Sequence, residues 1–171
     1  MIDELSYFCE HVLEGVSLKE AMASGGKLVN CRWVNCNKQD TQNPKVRGRL
    51  VAQEVNTGQA QDEFYAAAPP LEGKRVLFSR WAKEQTYEGK KLKLHFLDVR
   101  KAYFNARPVR DLYVRLPYEL GMGKEVVGKL VRCMYGTRDA GALWEWTYTQ
   151  CLLKMGFTQG RSNPCCVYHK K

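Results

Sequence analysis

The segment from Asp139 to Gly156 constrains the fold more than any other stretch of the chain. Ala140, Leu143, Trp144, Thr147, Tyr148, Cys151, Leu152 and Met155 recur at spacings of three and four, which puts them on one face of a helix. Asp139 is placed to cap its start, and Gly156 stands where a C′ glycine stops a helix. Such a face needs partners, and the flanking sequence offers strands. Lys91 to Asp98 alternates, with Leu92, Leu94 and Phe96 set against Lys93 and His95, and reads as a strand that delivers Asp98 at its C-terminal end. Leu28–Asn37 and Arg47–Val55 read as two strands of a hairpin, joined by the turn-forming residues Lys38–Lys45. Leu112–Leu116, Gly128–Tyr135 and Pro164–His169 read as further short strands. Leu71–Glu84 reads as a helix following Pro69-Pro70. Residues 3–22 read as two helical pieces, with Ser17 capping the second and Gly25-Gly26 ending it. Gly58–Pro70 reads as a loop, and Glu88-Gly89 as a turn. Helices and strands mix without strict alternation, which makes the fold class α+β.

At 171 residues the chain is long enough for one domain or two small lobes. No run approaches 18 consecutive apolar residues, so no transmembrane helix and no membrane partner are expected. The N-terminus, Met1-Ile2-Asp3-Glu4-Leu5, lacks a basic region followed by an apolar run, so no secretory signal is visible. The seven cysteines are an odd number, which favours reduced thiols and a cytoplasmic or nuclear protein that is not secreted. Cys31 with Cys36, and Cys165-Cys166 with His169, offer thiols and an imidazole for a zinc-binding interaction module. Their spacing departs from that of known zinc sites, and buried core thiols are the better reading. Lys and Arg number 27 against 18 Asp and Glu, a balance of +9 that favours polyanionic partners, nucleic acid foremost.

Six stretches, in order, resemble the reverse transcriptase domain of copia-type LTR retrotransposons. The first is Arg32-Trp33-Val34 with Lys38 and Asp40, followed by Arg47-Gly48-Arg49-Leu50-Val51-Ala52-Gln53-Glu54. The second is Phe64 to Glu72, ending Ala68-Pro69-Pro70-Leu71-Glu72. The third is Leu97-Asp98-Val99-Arg100-Lys101-Ala102-Tyr103-Phe104-Asn105. Leu112-Tyr113-Val114 with Pro117 comes fourth, and Met134-Tyr135-Gly136-Thr137-Arg138-Asp139-Ala140 with Trp144 fifth. The sixth is Gly156-Phe157 with Ser162, Asn163, Pro164 and Cys165. Asp139, Gly141, Asn163 and Ala106 stand where the family usually has Gln, Pro, Asp and Gly.

The resemblance implies a truncated right-hand polymerase: a fingers subdomain over roughly residues 1–85, with an N-terminal helical segment, and part of a palm over roughly 86–171. It implies that Asp98 is catalytic and that its carboxylate, with the Val99 backbone carbonyl, ligates Mg²⁺. Phosphoryl transfer by a polymerase uses two divalent ions held by carboxylates. It implies that Tyr103 lies under the incoming sugar and excludes a ribose 2′-hydroxyl. Arg47 and Arg49, which share a strand face, would pair with triphosphate oxygens. Gly136 would allow close backbone approach to nucleotide or template, and Arg138 would reach a phosphate. Lys38 and Arg75 are weaker candidates for nucleic-acid contact. Trp33, Trp81 and Trp144 read as core residues.

The implied partners are an RNA or DNA template-primer, a dNTP and the remainder of a Pol polyprotein. The implied setting is cytoplasmic, in a virus-like particle, or nuclear. The family carries a second acidic motif, Asp-Asp, on a palm hairpin, and no Asp-Asp pair occurs in these residues. One carboxylate cannot hold a two-ion site with useful affinity, because magnesium sheds water reluctantly. The expectation is therefore RNA-directed DNA polymerase ancestry with no activity of this chain alone. The alternative is a basic, non-catalytic nucleic-acid-binding remnant.

Overall fold

The computed structural model describes residues 2–55, 69–84, 86–87 and 89–169. In chain order the elements are α1 (Ile2–Tyr7), a π-helical turn (Phe8–Val12), β1 (Leu13–Ser17), α2 (Leu18–Ala23), β2 (Lys27–Val29), β3 (Cys31–Asn37) and β4 (Val46–Ala52). There follow α3 (Leu71–Glu84), β5 (Thr86–Tyr87), β6 (Lys90–Lys91), a 3-10 turn (Ala102–Asn105), β7 (Leu112–Arg115), a second 3-10 turn (Tyr118–Leu120) and β8 (Val126–Leu130). α4 (Ala140–Lys154), β9 (Phe157–Gln159) and β10 (Val167–His169) complete the series. Among the described residues the fold is a mixture of four α-helices and small sheets, in keeping with the α+β expectation.

Two compact units divide the chain, Met1–Tyr65 with Lys101–Trp144 and Ala66–Arg100 with Glu145–Lys171, so each is assembled from two separate stretches of sequence. The sheet of the first unit runs β1-β8-β7-β2. β8 is antiparallel to both β1 and β7, and β2 is parallel to β7. Ser17 behaves as its sequence position requires: its Oγ accepts from the Glu20 N–H at 3.1 Å and starts α2. The two helical pieces expected over residues 3–22 are present, but a strand separates them. β1 exists because it finds a partner over 100 residues away, from Leu13 opposite Leu130 to Ser17 opposite Val126. No local periodicity announces a pairing of that range.

Beneath this sheet, the π-helical turn presents both Phe8 and Val12 inward, and both are fully buried. They pack with Leu13, Val29, Leu50, Ala52, Phe104, Leu112, Val114, Leu130 and Met134. The rings of Phe8 and Phe104 meet edge to face at 5.1 Å. The expected hairpin is β3–β4, paired from Cys31 opposite Ala52 to Asn37 opposite Val46. In its loop, Asn37 and Asp40 fold their side chains onto backbone N–H groups of Gln39, Lys45, Gln42 and Asn43. The long strand expected over 28–37 is split at Asn30: β2 joins the four-stranded sheet and β3 leaves for the hairpin.

In the second unit, α3 has the bounds expected of it. The strand expected over Lys91–Asp98 does not form. β6 covers Lys90–Lys91 only, paired with β5, and residues 92–99 have no strand partner among the described residues. Alternation marks a strand only where a neighbouring strand supplies the hydrogen bonds, and here Phe96 and Leu97 stand 78% and 92% exposed. The strand expected over Gly128–Tyr135 sits earlier, at Val126–Leu130, and that over Pro164–His169 shrinks to Val167–His169. Asn163 makes the turn before it, its Oδ1 accepting from the Cys165 N–H at 2.8 Å. α4 ends as expected, with Gly156 at φ +88°. Most of the loop expected over Gly58–Pro70 lies outside the described residues.

Candidate functional site

Alternation along β4 sorts its side chains. Leu50 and Ala52 enter the core, and Arg47 and Arg49 occupy other positions on the same short strand. The Arg49 guanidinium lies 5.7 Å from the centre of the Tyr135 ring. Tyr135 in turn meets Tyr103 with ring centres 4.9 Å apart, and meets the buried Phe104 at 5.3 Å. Burial pushes the Tyr135 phenol above its ordinary value, and nearby Arg49 opposes that. Two of the residues expected at a nucleotide site, Arg49 and Tyr103, thus share one aromatic neighbour. Lys38 and Arg47 line a cavity of about 550 Å³ with Glu4, Gln39, Lys45, Val46 and Gly48.

Gly136 follows Tyr135 with φ +86°, a backbone state that L side chains rarely adopt. A Cβ there would run into the Ala52 carbonyl oxygen and would lie 2.6 Å from the Val51 Cγ1. The close approach that demands glycine is therefore to β4. The Ala52 N–H donates to the Tyr135 carbonyl at 2.7 Å, and the Glu54 N–H to that of Gly136 at 3.4 Å.

Behind this turn lies an ionic cluster. Both Glu54 carboxylate oxygens accept from Arg110 at 2.7 Å, and its side chain is 0% exposed. Lys27 Nζ donates to Glu54 Oε1 at 3.0 Å, and the Arg138 backbone N–H donates to Oε2 at 2.9 Å. Arg110 also donates from Nε and Nη2 to Asp139 at 2.8 and 3.1 Å. Two carboxylates and two cations balance, so the enclosed charges are mutually compensated. Burial alone would raise the Glu54 carboxyl; the bonds from Arg110, Arg138 and Lys27 outweigh it and bring the carboxyl down to about 2. The same bonds, from Glu54 first and Asp139 second, hold the Arg110 guanidinium above its ordinary value. Asp139 precedes α4 as expected, and its carboxylate faces Arg110.

Asp98 and Val99 lie in the second unit, both exposed, in the segment without strand pairing. Arg75 lies on α3 of that unit and is also exposed. Among the described residues no group of three or more His, Cys, Asp or Glu side chains is placed to hold a metal ion. The described residues therefore do not by themselves fit a two-ion carboxylate site. Nor do the thiols gather: Cys31 Sγ donates to the Arg115 carbonyl, and burial pushes its thiol up to about 11. Cys133, buried in the core and near Asp139, is pushed up to about 12. The core reading holds for Trp144, which packs against Ala106, Cys133 and Ala140. Trp33 is half-buried and donates to Glu119, whereas Trp81 is an exposed residue whose Nε1 donates to the Leu92 carbonyl.

The reverse transcriptase (RNA-dependent DNA polymerase) family matches residues 19–170, and the chain belongs to that family. Its six ordered motifs place it with the copia-type retrotransposon members. It is similar to the retrovirus-related Pol polyprotein from transposon TNT 1-94 of Nicotiana tabacum, with 26% identity over 156 residues. That match takes in 88% of this chain and 11% of the polyprotein. No solved structure matches the chain. Among the described helices none is long and apolar enough to cross a membrane.

Sequence reasoning did not single out Tyr135, Glu54 or Arg110. Tyr135 could have been found as the aromatic next to the glycine of the fifth motif. Glu54 and Arg110 are 56 positions apart, and nothing local marks either as the partner of the other.

Proposed function

We propose that this chain is the nucleotide-holding part of an RNA-directed DNA polymerase, the fingers and first part of the palm of a right-hand fold, from a larger Pol polyprotein. The observation that carries this is the convergence of Arg49, Tyr103, Tyr135 and the Gly136 turn within one unit. The reaction proposed for the larger enzyme is nucleotidyl transfer from a dNTP to a primer 3′-hydroxyl on an RNA or DNA template. In that reaction Arg47 and Arg49 pair with triphosphate oxygens through fork-shaped guanidinium bonds, and Arg138 adds a third cation. Tyr103 is a rigid wall beneath the sugar that leaves no room for a 2′-hydroxyl. Gly136 lets the Tyr135–Arg138 turn pack directly on β4, which keeps the turn beside the arginine-bearing strand. Lys38 and Arg75 contact nucleic-acid phosphates.

Mg²⁺ is the ion this chemistry uses, and Asp98 with the Val99 carbonyl is the chain's contribution to holding it. Since the described residues form no carboxylate group around Asp98, no catalytic step is assigned to this chain alone. The setting proposed is the cytoplasm, in a virus-like particle, or the nucleus.

Primer extension on an RNA template with Mg²⁺ or Mn²⁺, run on the 171-residue chain and on Asp98→Ala, tests this. The expected result is no extension by either, with template-primer binding that weakens steeply as salt rises. Extension that Asp98→Ala abolishes would show a complete metal site and overturn the assignment of incapacity. Loss of template-primer binding at low salt would remove the polymerase reading for this chain.

A further inference from the structure

We propose that Glu54 is a positioning residue: with Arg110 and Asp139 it locks the Tyr135–Arg138 turn against the arginine-bearing strand β4. The inference rests on the nucleotide-holding role proposed above for that turn. Three ties join the end of β4 to the turn, namely Ala52 N–H to the Tyr135 carbonyl, Glu54 N–H to the Gly136 carbonyl, and Arg138 N–H to Glu54 Oε2. The first two are main-chain bonds that any residue can make. The third needs a side-chain acceptor at position 54, and only a carboxylate, here fully enclosed, offers two oxygens that serve Arg138, Arg110 and Lys27 together.

Enclosing a carboxylate is unfavourable unless its lone pairs are filled, and Arg110 and Lys27 fill what Arg138 leaves. Apolar groups of the same volume would support stability as well as such a cluster. What apolar groups lack is direction. The planar guanidinium of Arg110 fixes two carboxylates at once, one on the chain leaving β4 and one at the start of α4. The turn that carries Gly136 and Arg138 is thereby held at its Arg138–Asp139 end, while the main-chain bonds from Ala52 and Glu54 hold its Tyr135–Gly136 end. Thr137 closes it from within, its Oγ1 donating to the Met134 carbonyl at 3.0 Å. The consequence is that Arg49, the Tyr135 ring and the Arg138 main chain keep one mutual arrangement before any nucleotide arrives, which lowers the ordering cost of binding.

A double-mutant cycle on dTTP affinity in Mg²⁺ tests this, using the whole chain with Glu54→Gln, Arg138→Ala and the pair. Amide exchange at Arg138 and Leu130 is followed in the same proteins. Glu54→Gln is expected to weaken dTTP binding about tenfold, the size of one charge-assisted hydrogen bond. The pair is expected to lose less than the product of the two single losses, because the Arg138 guanidinium is presented by the turn that Glu54 holds. Exchange is expected to quicken at Arg138 and not at Leu130. Full additivity, or equal quickening at both amides, marks a merely structural role and overturns the proposal. If Glu54→Gln does not fold, Asp139→Asn, which leaves Glu54 paired, is put through the same cycle with the same criteria. Failure of the wild-type chain to bind dTTP contradicts the nucleotide reading, while the exchange pattern still decides whether Glu54 positions the turn.

Discussion

Gly136 and Glu54 carry two kinds of demand on a single residue. At Gly136 the demand is steric: φ is +86° and the Ala52 carbonyl fills the space of a Cβ. Gly136→Ala is expected to destabilise by about 2–4 kcal/mol in chemical denaturation, combining backbone strain with an overlap that main-chain atoms cannot relieve. At Glu54 the demand is electrostatic. Its carboxyl is lowered from an ordinary 4.5 to about 2 in the folded chain. The unfolded chain therefore takes up the proton first as pH falls. The stabilisation from this group is complete above the ordinary value and is lost as pH drops through the folded value. It amounts to on the order of 3 kcal/mol. Denaturant midpoints measured from about pH 6 down to about pH 3 should fall in the wild type and fall less in Glu54→Gln. An equal fall in both would place the acid sensitivity elsewhere. The glycine was legible as a point of close approach in the fifth motif, though its neighbour was not. The glutamate was legible only as one more acid after a strand.

The elements divide by how far away their partners lie. α3 and α4 were readable because a helix completes its own hydrogen bonds within one stretch of sequence, and α4 also shows apolar residues at a period of three or four. The β3–β4 hairpin was readable because its turn residues stand between its strands. β1 was missed because its partner, β8, is remote, and the strand expected over 91–98 fails because no described strand accepts it. The hairpin should answer to its core contact: Leu50, 1% exposed in the main cluster, is expected to cost 2–5 kcal/mol when replaced by Ala, within the ordinary range for a buried leucine. The second unit leaves apolar side chains in water, with Leu77, Phe78, Trp81, Phe96 and Leu97 all exposed. A surface of this kind should bind a hydrophobic dye, and Phe96→Ser with Leu97→Ser should lower that signal without lowering the denaturation midpoint. A loss of stability in that variant would show that the two residues are packed in solution.

At the scale of the whole molecule, the proposal of phosphate-bearing ligands is supported by the excess of nine positive charges, the family membership of residues 19–170 and the Arg49–Tyr135–Tyr103 contacts. Charge and ordered motifs were visible in the sequence. The division into two units, each drawn from two stretches, was not, since it depends on chain returning after long intervals. The central claim is that the first unit holds a deoxynucleotide with Tyr103 as the wall beneath its sugar. It is tested most directly by titrating dTTP and UTP, each with Mg²⁺, into the wild-type chain and Tyr103→Ala. The account predicts tighter dTTP binding than UTP binding in the wild type, and a preference that collapses in Tyr103→Ala because the space for a 2′-hydroxyl is opened. Equal affinities in the wild type, or a preference unchanged by the substitution, would contradict it.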